Sequence, residues 1–161
     1  MENVLEKNQL HTDKKSIPEE GVSTNILVLV DQAEKAFDLT EYLEKSGFYV
    51  KRSLLHKDLL IETDQISGFD LILLHISDPT ANVNEMLQFF LSQTDTPLVL
   101  ITGTDHYEKA IYGLLHGLED IIRSPYFAFE VILRIRAILH RMGRSNISAP
   151  QHGLDIETVC L

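Results

Sequence analysis

Phe69-Asp70-Leu71-Ile72-Leu73-Leu74-His75-Ile76-Ser77-Asp78-Pro79 reads as a strand that ends in a proline-marked turn. Its unbroken apolar run is what a parallel strand covered by helices on both faces requires. The run carries one polar side chain, His75, to its carboxyl end. In open α/β sheets, ligands and chemistry sit outside the carboxyl ends of the strands. A histidine stands there.

Outward from this strand the same period repeats. Ile26 to Val30 is a second buried run, followed by Ala33 to Ser46. In that segment residues 33, 36, 37, 40 and 43 fall at helical spacing and Gly47 sits at the C-cap. Phe48 to Leu54 alternates more, as a strand nearer an edge does, and His56 to Ile66 reads as a short helix. Val83, Met86, Leu87 and Phe90 stripe a third helix, and Pro97 introduces a strand over Leu98 to Thr102. Tyr107, Ala110, Ile111, Leu114 and Leu115 stripe a fourth helix that ends before Gly117. Asp120 to Arg123 is a short fifth strand, and Ala128, Val131, Ile132, Ile135, Ile138 and Leu139 line a long fifth helix. Strands alternating with helices in this way specify an α/β fold, a doubly wound five-stranded parallel sheet with right-handed crossovers.

The chain has 161 residues, enough for one domain with a core and tails. Residues 1–24 read as a flexible arm, 25–142 as the domain, and 143–161 as a linker and the start of a further domain. No apolar run reaches the ~20 residues that span a bilayer, and the polar N-terminus is not a signal peptide. The single cysteine, Cys160, fits a reducing cytoplasm. A net charge of −10 argues against this chain as a nucleic-acid surface, because phosphate neutralisation needs an excess of Lys and Arg.

The strand ends present Asp31, His75, Thr102 and Ser124, all expected at one shallow site at the top of the sheet. The ordered blocks are Ile26 to Asp31, Phe69 to Ile76, Thr96 to Gly103, Gly117 to Asp120, and Ser124-Pro125-Tyr126. Together they resemble a response-regulator receiver domain over residues 25 to 142. The resemblance implies the flavodoxin-like strand order 2-1-3-4-5. It also implies a site that takes a phosphoryl group onto an aspartate with Mg²⁺ held by an acidic pair. Compared with that pattern, Val30 replaces the first acid and Asp31 matches the second. His75 replaces the acceptor, Thr102 and Pro125 match, Ser124 replaces a lysine, and Ile121 stands where an aromatic switch residue is usual. One aspartate beside a neutral imidazole is a poor Mg²⁺ site. The expectation is a degenerate phosphoacceptor site, with no catalytic residue, no metal and no cofactor. A flavodoxin-like nucleotide site is the rival on this topology, but Asp31-Gln32-Ala33-Glu34-Lys35 has no glycine with which to cradle a phosphate.

The plain reading of His75 is a hydrogen-bonded imidazole in a vacated site. The sharper ones are a pH sensor or fixed-state mimic through Asp31, a metal ligand, or a phosphoryl acceptor. Asp78 is a candidate substitute acceptor. Asp31 also has the spacing of a cap for the helix from Ala33, and Thr102 that of a strand-end hydroxyl bonding a loop amide. His11, His56, His106, His116, His140 and His152 lack metal-ligand spacing and read as surface residues. The fifth helix carries Glu130, Arg134, Arg136 and Arg141 on its outer side, and Glu119 and Asp120 precede it. The resemblance to the winged-helix (OmpR/PhoB-type) subfamily implies a homodimer through the fourth helix, fifth strand and fifth helix. Lys109, Glu119, Asp120, Glu130 and Arg134 would lie on that face. The run Leu154-Asp155-Ile156-Glu157-Thr158 resembles the start of a winged-helix domain, so DNA would be reached only through a C-terminal domain absent from this chain. No membrane partner is expected. Three readings stand: a phosphorylation-independent receiver that positions an output domain for transcription regulation, a partner-binding scaffold, and an unusual receiver that is still phosphorylated.

Overall fold

A computed structural model describes residues 23–55 and 66–144. The expected arm up to residue 22, the helix from His56, the C-terminal strand, Cys160, His11, His56 and His152 lie outside the described residues. The strands are β1 (Asn25–Val30), β2 (Tyr49–Leu54), β3 (Leu71–Ile76), β4 (Leu98–Thr102) and β5 (Asp120–Arg123). The described helices are α1 (Phe37–Lys45), α2 (Val83–Gln93), α3 (Thr104–Ala110) and α4 (Ala128–Arg141), with a 3-10 turn over Ile111–His116. Thus α3 and α4 are the fourth and fifth helices of the sequence reading. All pairings are parallel, in the order β2-β1-β3-β4-β5.

The strand side chains sort by parity onto two cores. Ile26, Val28 and Val30 of β1 join Leu71, Leu73, Val99, Ile101 and Ile122 under α1 and α4. Leu27 and Leu29 join Ile72, Leu74, Ile76, Leu98 and Leu100 under α2 and α3. Each buried Leu, Ile or Val contributes roughly 1.5–3 kcal/mol, which is why a continuous apolar run in β3 suffices to set a two-sided sheet. Helix α4 covers one face with Val131, Ile132, Ile135, Ile138 and Leu139, the stripe read from the sequence. Helix α2 starts from Asn82, whose side chain accepts from the Glu85 amide at 3.2 Å and so satisfies one free N-terminal donor.

Two elements depart from expectation. Helix α1 begins at Phe37 rather than Ala33, because Ala36 at its N-cap has a left-handed φ of 62°. Its inner face is Leu39 and Leu43, with Phe37 exposed. The expected fourth helix also tightens into a 3-10 turn after Ala110. Three residues per turn instead of 3.6 takes the rest of the stripe out of phase with buried Ala110. Ile111, Leu114 and Leu115 are therefore exposed rather than packed. Gly113 lies where an added Cβ would meet Leu87 Cδ1 at 3.1 Å and Leu118 Cδ2 at 3.2 Å. Gly117, at φ 107°, turns the chain into β5.

Candidate functional site

The register sets His75 between Val30 of β1 and Ile101 of β4. Both neighbours are fully buried, and His75 itself is 5% exposed. Its Nδ1 lies 3.2 Å from Ser77 Oγ, and the Tyr126 ring meets it edge-on with centroids 5.8 Å apart. Burial pushes its proton affinity below the ordinary imidazole value; the attraction of Asp31 works the other way without overcoming it. The imidazole is therefore held neutral at pH 7.

Asp31 does not cap a helix, since α1 starts six residues later. Its Oδ2 instead accepts from the amides of Ser77 at 2.8 Å and Asp78 at 2.7 Å, at the carboxyl end of β3. No direct hydrogen bond joins the Asp31 and His75 side chains; Ser77 touches both. Oδ1 of Asp31 is buried with no hydrogen-bond partner among the described residues. Thr102 Oγ1 donates to the Ile76 carbonyl at 3.1 Å, a neighbouring strand rather than the expected loop amide. The Ser124 amide donates to the Thr102 carbonyl at 2.7 Å, and the bond from Ser124 to Pro125 is cis. Ile121 is buried in the core under α2 and α3. The sheet register pairs Val30 with His75, Asp31 bonds the loop after β3, and Ser124 bonds the end of β4 at Thr102. Mg²⁺ asks for several hard oxygen ligands in octahedral geometry. Val30 offers none, His75 offers a buried nitrogen, and one oxygen of Asp31 is already held by two amides. These residues do not fit the ion.

Two histidine and arginine readings change. His106 is 7% exposed, not a surface residue, and its Nε2 lies 2.8 Å from the Asp78 carbonyl, to which it donates. Sequence reasoning passed over it, although its i,i+4 spacing to Ala110 puts it on the inner side of α3. Arg136 is half-buried and donates to the Ser46 carbonyl at 3.2 Å instead of facing outward. On the expected dimer face, Arg134 contacts Asp120 at 3.0 Å and Glu130 at 2.9 Å within its own chain. Both acids raise the proton affinity of its guanidinium. Lys109 is exposed and Glu119 half-buried.

No protein-family model matches the chain. Curated relatives do. It is 30% identical over 120 residues to the sensory transduction protein RegX3 of Mycobacterium tuberculosis, covering 74% of this chain and 52% of that one. It is 38% identical over 125 residues to the response regulator ArlR of Staphylococcus aureus, covering 77% and 56%. The chain spans about half the length of the curated relatives it matches. Among solved structures, the receiver domain of the trimethylamine-oxide respiratory regulator TorR superposes with TM-score 0.61 at 25% identity, covering 73% of this chain and 98% of that one. A Francisella receiver domain gives TM-score 0.62 at 22% identity, covering 74% and 99%. Sheet order, strand-end site and these similarities define the class: the described core is a receiver domain of the response-regulator family of two-component systems. Within that family its relatives are regulators of the OmpR/PhoB type. Receiver domains of this kind are signalling proteins rather than typical enzymes. Among the described residues, no helix is long and apolar enough to cross a membrane.

Proposed function

We propose that this receiver works without phosphoryl transfer, holding one state in residues 25–142 and positioning an output domain that begins beyond residue 142. The observation that carries the reading is the occupation of the site. Phosphoryl transfer needs an oxyanion acceptor and cations to take up developing charge. Here a buried neutral imidazole replaces the acceptor, a serine stands at the cation position, and the remaining carboxylate is engaged by two backbone amides. Incubation with acetyl phosphate and Mg²⁺ followed by intact-mass measurement should leave the mass unchanged. A stable phosphoryl adduct would overturn the proposal. The combined Val30→Asp, His75→Asp and Ser124→Lys variant should gain the adduct and so validate the assay.

Self-association through α3, β5 and α4 is the second part of the reading. What favours it is exposed apolar surface on the 3-10 turn that follows α3: Ile111 is 44% and Leu115 80% exposed. Because Asp120 and Glu130 already hold Arg134 within one chain, the apolar residues rather than new ion pairs would drive pairing about a two-fold axis.

A further inference from the structure

We infer that the carboxyl end of β3 is an oxyanion site filled by the chain's own Asp31, and that this internal ligand fixes the placement of α3. The amides of Ser77 and Asp78 converge on one atom, Asp31 Oδ2, at 2.8 and 2.7 Å. Two amides on one carboxylate oxygen make charge-assisted bonds, shorter and stronger than neutral ones. They also hold the half-buried Asp31 carboxylate at the strand end although its Oδ1 is buried without a partner among the described residues. The ligand class such a site takes is a carboxylate or another small oxyanion, and here it is supplied in cis.

The residue so held is a junction. The Asp78 carbonyl accepts from His106 Nε2 at 2.8 Å and from the Ala81 amide at 3.1 Å. Asp78 Oδ1 accepts from the Thr80 amide and hydroxyl at 2.8 and 2.7 Å, closing the loop on itself. His106 is the buried polar anchor of α3, a helix of only seven residues with no side-chain cap at its N-terminus. Asp31 just after β1, the loop after β3, and α3 thus form one chain of bonds. Asp31 is a positioning residue for the face that α3 presents. This deepens the proposed phosphorylation independence and rests on it only in assigning the fixed loop a signalling role. A phosphoryl adduct would overturn that proposal while leaving these bonds intact, whereas exchange rates decide the bonds alone.

Amide hydrogen exchange on the full 161-residue chain tests it. In Asp31→Ala the amides of Ser77 and Asp78 should exchange about tenfold faster or more, and those of α3 should speed up with them, while β4 keeps its protection. Sodium formate, against sodium chloride at equal ionic strength, should slow Ser77 and Asp78 in Asp31→Ala and leave the wild type unchanged. Asp31→Asn keeps an acceptor without the charge and should fall between the two, which serves if the alanine variant does not fold. In a His106→Leu background, Asp31→Asn should no longer alter α3. Wild-type exchange at Ser77 and Asp78 in either Asp31 variant, or faster exchange there with α3 unchanged, overturns the inference. A formate response no larger than that to chloride overturns the oxyanion site.

Discussion

His75 sits where burial and charge oppose each other. Val30 and Ile101 flank it in the sheet and strip it of water, whereas Asp31 attracts a proton to it from nearby; burial wins. A histidine whose folded value lies below its unfolded value binds fewer protons in the native state. Its stabilising contribution is complete above the ordinary value of about 6.5 and is lost as pH falls through that value toward the folded one. Urea-unfolding midpoints should therefore fall more steeply between about pH 7 and 5 in the wild type than in His75→Gln. Equal slopes would remove this account. His75→Asp has the opposite sign, because it buries a second carboxylate beside Asp31 without a cation. That variant should lose about 2–4 kcal/mol at pH 7 and recover part of it as pH falls and one acid protonates. The histidine at 75 was legible as the odd residue in its strand. Its company was not, because Tyr126 and Ser77 reach it only once the loops after β3 and β5 fold over the strand ends.

At the scale of elements, strands and long helices followed from periodicity, while the segments between them followed from single bonds and dihedral angles. Residues 33–36 belong to the helical stripe read from Ala33 to Ser46, yet Ala36 occupies the left-handed region and α1 starts only after it. Arg52 on the edge strand β2 holds that turn: it donates to the carbonyls of Ala33 and Lys35, and its guanidinium lies 4.0 Å over the Phe37 ring. This contact accounts for an aromatic ring left on the surface. A left-handed alanine costs roughly 1–2 kcal/mol, and the extra freedom of an unfolded glycine returns roughly half of that. Ala36→Gly should accordingly raise stability by about 0.5–1 kcal/mol, read from the urea midpoint at unchanged slope. A loss would show that the turn is held by more than its dihedral angle. The 3-10 turn after α3 is a comparable case. Its residues fit an α-helical stripe in sequence, and only the tighter winding against Leu87 and Leu118 takes Ile111 and Leu115 out of the core.

For the molecule as a whole, the proposed self-association can be separated from fold stability by choosing residues that touch little. Leu115→Glu, on an exposed side chain, should shift sedimentation toward monomer while changing the unfolding midpoint by less than about 0.5 kcal/mol. A wild type that sediments as a monomer at high micromolar concentration would sink the dimer. Arg134→Glu is the weaker probe, since it breaks pairs with Asp120 and Glu130 inside one chain. The sequence by itself determined the order of strands and helices, the two-sided burial of β1, β3 and β4, and the set of residues at the strand ends. Those are consequences of hydrophobic period and punctuation, which are local properties of the chain. Only the tertiary structure decided what those residues do to each other. The Asp31 carboxylate meets amides 46 and 47 residues away, and His106 meets a carbonyl 28 residues away. Hydrogen bonds act over about 3 Å, so a contact between distant residues exists only after the sheet has brought its strand ends side by side.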